Sequence, residues 1–123
     1  AVVAIRARLA QLDASLSALV ALEHDYIESW MEGHDDGIGA SVLKVRGTEL
    51  LQEMTEFWRD VLGPYGACYD PVLRKRGGGL AADQPWVQAA SINYAYLYGR
   101  CWSIFGGTNE VQRNIIAATL LRG

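Results

Sequence analysis

What this sequence lacks narrows its reading first. No run of about 18 apolar residues occurs, so no segment is suited to spanning a bilayer as a helix. The opening, AVVAIRARLAQ, has no apolar stretch long enough for a secretory leader. Cys68 and Cys101 are the only cysteines and make one possible pair in no recognisable framework. Small secreted domains usually carry more, which points to a reduced, intracellular, cytoplasmic protein. Charge of one sign is also missing: 11 Lys and Arg stand against 14 Asp and Glu, for a net charge of −3. The basic residues are scattered, so neither nucleic acid nor an anionic membrane is an expected partner.

Several chemistries lack their residues. Di-iron carboxylate bundles need Glu-x-x-His on two helices. Here Glu23-His24 and Glu32-Gly33-His34 both have the wrong spacing. Glu49, Glu53 and Glu56 share a helix with no histidine nearby and read as a solvated stripe. His34, Asp35 and Asp36 read as an interhelical loop, so no metal is expected. No Cys-His or Ser-His pair stands at a useful spacing for a nucleophilic site. Strand alternation and internal repeats are absent too.

What is present is a helical pattern with an ample apolar content. Half of the residues are hydrophobic, including four Trp, six Tyr and two Phe, so most of the chain is expected to be ordered. Ile5, Leu9, Leu12, Leu16, Leu19, Tyr26 and Trp30 follow a 4-3 spacing that predicts a first helix over 2–32. It starts without Met or an N-cap, as a piece of a longer polypeptide would. EGHDDGIG, residues 32–39, reads as a loop. Val42, Val45, Leu50, Met54, Phe57, Trp58 and Val61 mark a second helix, which should stop at Leu62 because Gly63-Pro64 removes a Cβ and a backbone donor.

A third helix is predicted from Pro85, through Trp86, Ala89, Ala90, Tyr94, Leu97 and Cys101, to Ile104. The last opens after Gly107, where Asn109 and Gln112 fit a capping pair, and carries Val111, Ile115, Ile116, Leu120 and Leu121. The predicted fold is all-α, an antiparallel up-and-down four-helix bundle forming one domain over residues 1–123.

Two glycine-rich stretches invite a ligand. RKRGGG, residues 74–79, joins Arg74, Lys75 and Arg76 to three glycines, but follows no strand and lacks the phosphate-loop pattern; it reads as a solvated loop. IFGGTNEVQRNII, residues 104–116, is different. Two glycines allow a ligand or another backbone to come close, and the helix that follows presents unpaired N–H groups and a positive dipole end. Thr108, Asn109 and Glu110 add a hydroxyl, an amide and a carboxylate there. A glycine turn before a capped helix accounts for the same residues.

GGTNEVQRNIIA, residues 106–117, strongly resembles the closing signature of acyl-CoA dehydrogenases, flavoproteins with a C-terminal helical domain. RARLAQLDASLSAL resembles the long helix that opens this part of the family. ASVLKVRGTELLQEMTEFWRDVLGPYG, residues 40–66, is similar to the next helix and its Leu-Gly-x-x-Gly turn. WVQAASINYAYLYGRCWSIFGGT resembles the penultimate helix running into the signature. The resemblance covers nearly the whole chain and implies the last third of a subunit. The N-terminal helical domain, the middle β-domain and most or all of the bundle's first helix would then be missing, and these 123 residues alone would be inactive.

The resemblance implies FAD as cofactor and an acyl-CoA thioester as substrate. In the family, a carboxylate removes the α-proton while the β-hydrogen leaves as hydride to the flavin, and electrons pass to an electron-transfer flavoprotein or similar acceptor. Gly106 stands where many members carry that catalytic Glu and has no side chain to act as base. Other members take the base from the bundle's first helix, so the catalytic residue here is unknown. The Gly106 N–H would still donate to the thioester carbonyl, with Phe105 and Gly107 beside it in the substrate site. Thr108, Asn109 and Glu110 fall at the flavin edge. Asp60, Leu62, Gly63 and Pro64 match a turn that touches FAD held mainly by a neighbouring subunit, although the family more often has Gln and a second Gly at 60 and 64.

Homo- or hetero-oligomers are implied. Three alternatives stay open: a dehydrogenase, a related flavin oxidase or monooxygenase on the same fold, and a non-catalytic assembly subunit.

Overall fold

The computed structural model describes residues 2–34, 37–67, 69 and 85–122. Asp35, Asp36, Cys68 and the RKRGGG stretch, for which loops were predicted or a pairing considered, lie outside the described residues. Four α-helices follow one another: α1, Val2–Met31; α2, Gly39–Leu62; α3, Pro85–Gly99; and α4, Asn109–Leu120. Short 3₁₀ turns follow α2 at Gly63–Ala67 and α3 at Arg100–Ser103. No strand occurs among the described residues.

Direction alternates from helix to helix, and the side-chain pairs set the register. Tyr26 near the end of α1 packs where Gly39 opens α2, so closely that a Cβ at Gly39 would sit 2.2 Å from its ring. Leu12 and Leu19 meet Leu50, Met54 and Phe57 further along. Arg8 at the start of α1 reaches Asp60 at the end of α2, 2.5 Å away. The return of α3 is fixed in the same way: Arg59 covers the Tyr96 ring at 3.9 Å, and Arg100 covers it at 4.3 Å while pairing with Glu56 at 2.9 Å. Arg113 of α4 pairs with Glu49 of α2. α2 packs against all three other helices and is the central rod of the fold.

This arrangement modifies three sequence expectations. Glu49 and Glu56 are not merely a solvated stripe, because they tie α2 to α4 and to α3. The predicted third helix changes pitch at Gly99 instead of continuing to Ile104. Gln52 Nε2 takes the Gly99 carbonyl at 3.0 Å, and the tightened turn lays the Trp102 ring where a Gly99 Cβ would meet it at 3.0 Å. The apolar stripe of α1 exists, but α2 covers it only in part. Leu12 is buried, Leu19 and Tyr26 are half-buried, and Leu9, Leu16 and Trp30 stay exposed.

Candidate functional site

The segment between the second 3₁₀ turn and α4 is built from the two residues that lack Cβ. Gly106 has φ 67° and Gly107 φ 88°, left-handed conformations that glycine adopts without strain. Among the described residues beyond its chain neighbours, nothing stands within 4 Å of where a Gly106 Cβ would be. Among the described residues, neither glycine N–H has an acceptor. Both residues are exposed just ahead of a helix N-terminus, with the Gln112 side chain beside Gly107, and donors so placed suit a carbonyl or an anionic oxygen.

Thr108, not Asn109, caps α4. Its backbone is extended, its hydroxyl accepts from the Val111 N–H at 3.3 Å, and its carbonyl accepts from the Gln112 N–H at 3.0 Å. The predicted Asn109–Gln112 capping pair is replaced for a tertiary reason. Asn109 is only 5 % exposed. Its Oδ1 accepts from Lys44 Nζ at 2.6 Å, and its Nδ2 donates to Thr48 Oγ1 at 3.1 Å, both on α2. The Gln112 side chain reaches back to the Gly106 carbonyl at 3.0 Å.

Asn109 accordingly belongs to the scaffold under the turn, whereas Phe105, Gly106, Gly107 and Glu110 are on the surface and Thr108 is half-buried. The exposed Glu110 carboxyl is held below its ordinary value of 4.5 chiefly by its own backbone N–H and then by the Thr108 hydroxyl. Desolvation opposes this, and Arg113 and Lys44 add smaller attractions. A carboxylate kept ionised here is an acceptor only, with no proton to donate.

The second group of predicted site residues lies elsewhere. Asp60, Gly63 and Pro64 are exposed and Leu62 half-buried at the far end of α2, and Asp60 is engaged by Arg8. Glu49, the partner of Arg113, precedes Gly63 by fourteen residues, which is about 21 Å of helix. One copy of the chain does not bring the two turns together.

Sequence reasoning missed Lys44 and Thr48. Their signal was a charge and a hydroxyl four residues apart, set among Val42, Val45 and Leu50 of α2. It also missed a hollow of about 330 Å³ lined by Tyr69, Tyr94, Leu97, Tyr98 and Cys101. Of these, Tyr98 meets the Phe105 ring edge-on, at 6.5 Å between centroids. Among the described residues, no three His, Cys, Asp or Glu side chains gather to hold a metal, and no helix is long and apolar enough to cross a membrane.

The family model described as acyl-CoA dehydrogenase, C-terminal domain, matches residues 3–121. No curated protein and no solved structure gives a match.

Proposed function

Since this chain belongs to the acyl-CoA dehydrogenase family, as its C-terminal domain, we propose that it serves an FAD-dependent enzyme that introduces a double bond α,β to an acyl-CoA thioester. The observation that carries the reading is the pair of exposed glycine N–H groups without an acceptor, set in left-handed backbone before α4. A fixed N–H aimed at a thioester carbonyl stabilises the charge that develops there as the α-proton leaves. Phe105 and the tyrosine-lined hollow next to it offer an apolar bed for the acyl group.

The residues present fit an edge of the cofactor. Among the described residues, nothing fills the Cβ position of Gly106, and Thr108 and Glu110 supply polar atoms for a hydroxylated chain. FAD, when bound, supplies the hydride acceptor. Within this chain, Gly106 and Gly107 bind and orient, Thr108 fixes the start of α4, and Glu110 accepts hydroxyl donors. The Asp60–Pro64 turn, some 20 Å away along α2, would meet a cofactor held by another subunit. Electron-transfer flavoprotein or a similar acceptor completes the partner set.

The test uses the complete flavoprotein. Adding an acyl-CoA thioester under anaerobic conditions should bleach the oxidised flavin band. No bleaching with any chain length would favour the second reading, a silent subunit of a hetero-oligomer, for which the missing side chain at Gly106 is the specific support. Rapid reoxidation by oxygen would instead point to an oxidase or monooxygenase on the same fold.

Oligomerisation is part of the proposal. α1 leaves Leu9, Leu16, Val20 and Trp30 exposed, and Leu121 beyond α4 is 86 % exposed. Burying ~400 Å² of apolar surface yields roughly 10 kcal/mol before the entropy costs of association. The chain is expected to self-associate through its first and last helices, as an isologous dimer or a larger assembly. Sedimentation at low micromolar concentration decides this: a clean monomer of 13.5 kDa sinks it.

A further inference from the structure

The glycine turn has little of its own to hold it in place. Among the described residues, nothing stands within 4 Å of a Gly106 Cβ, so packing does not pin the backbone there. Gln112 grips the Gly106 carbonyl from the first turns of the helix that follows. The hold from outside comes from α2. Lys44 Nζ donates to the Ser103 carbonyl at 3.2 Å and to Asn109 Oδ1 at 2.6 Å. Ser103 ends the 3₁₀ turn and Asn109 begins α4, so one ammonium group joins the two ends of the segment 104–108. Thr48, one helical turn along, reinforces the second anchor through Asn109 Nδ2.

Both acceptors are neutral, and no ion pair among the described residues involves Lys44. A part-buried ammonium gives up hydration that a neutral donor would not. What it adds over a neutral donor is charge behind the turn, and its field reaches Glu110.

We propose that Lys44 is the positioning residue of the glycine turn. It sets the distance between the end of the 3₁₀ turn and the start of α4, and with it the aim of the Gly106 and Gly107 N–H groups. What the turn binds rests on the function proposed above; the clasp itself does not.

Amide hydrogen exchange on the full 123-residue chain tests the clasp without flavin or thioester, so an inert enzyme and a failed clasp give different results. In Lys44→Met, the Ile104, Phe105, Val111 and Gln112 amides should exchange about tenfold faster, as expected for loss of one to two hydrogen bonds. Amides of Leu50 and Phe57 should hold their rates. Lys44→Arg should restore most of the protection, because a guanidinium still donates to both acceptors.

Unchanged exchange at the turn in Lys44→Met, or an even rise through α2 as well, overturns the proposal, as does failure of the Lys44→Arg rescue. Should Lys44→Met not fold, Asn109→Ala removes only the second anchor. Faster exchange confined to Val111 and Gln112, with Ile104 and Phe105 still protected, then supports the clasp. An even rise over both ends overturns it.

Discussion

Replacing Phe57 with alanine is expected to cost about 3–4 kcal/mol of folding stability, a large share of the ~5–15 kcal/mol typical of a domain. Phe57 is 2 % exposed, and with Leu12 and Leu50 it forms the buried cluster that joins α1 to α2. Its ring also lies under the Arg8 guanidinium at 5.7 Å. A hollow of about 90 Å³ already lies beside it, lined by Leu9, Leu12, Leu16 and Met54 among others, so truncation enlarges a gap that the neighbours have not closed. Since Leu12 is the one buried residue of α1, release of that helix from α2 should accompany the loss. Urea denaturation followed by circular dichroism measures the change, with Trp58→Ala, at a position 42 % exposed, as the comparison. A Phe57→Ala loss below ~1 kcal/mol, or one equal to that of Trp58→Ala, would show that this cluster is not the anchor of α1.

The second large effect belongs to Gly106, where fold and function should separate. Leucine at this position must adopt φ near 67°, a strain of about 1–2 kcal/mol, yet its Cβ meets nothing among the described residues. On the proposed function, the side chain would instead project where the thioester should pack. Turnover by the complete flavoprotein should fall at least about a hundredfold, as for other misplacements of reacting groups. Gly106→Asn should fold more easily, because asparagine tolerates the left-handed region, and should lose turnover through bulk alone. Thermal melting and turnover of the two variants, measured together, make the check. Activity falling only in proportion to stability would reduce the stretch to a plain turn.

The local features of this protein were legible in its sequence. The 4-3 spacing from Ile5 to Trp30 marked α1 to within a residue of its end, and Gly63-Pro64 marked the end of α2, where Gly63 has φ 55°. The two glycines before a polar run identified the candidate site, and GGTNEVQRNIIA carried the family. Each signal is local, because periodicity, caps and breakers act through neighbours three or four residues away.

Roles that depend on distant residues were not legible in this way. Asn109 looked like a cap and a ligand contact, since its amide suits both. Only the placement of α4 against α2 hands that amide to Lys44 and Thr48, residues more than sixty positions earlier. The same holds for Glu49 and Glu56, whose partners Arg113 and Arg100 come from other helices, and for the change of pitch at Gly99, drawn by Gln52.

By itself, then, the sequence determined where the helices run, where the chain turns on glycine and which family it belongs to. Tertiary structure alone decided which polar side chains stay on the surface and which reach across to another helix. That division has a physical cause: helix periodicity specifies which face of a helix is apolar, but not the register at which two such faces meet. A shift of one turn would give Asn109 a different partner.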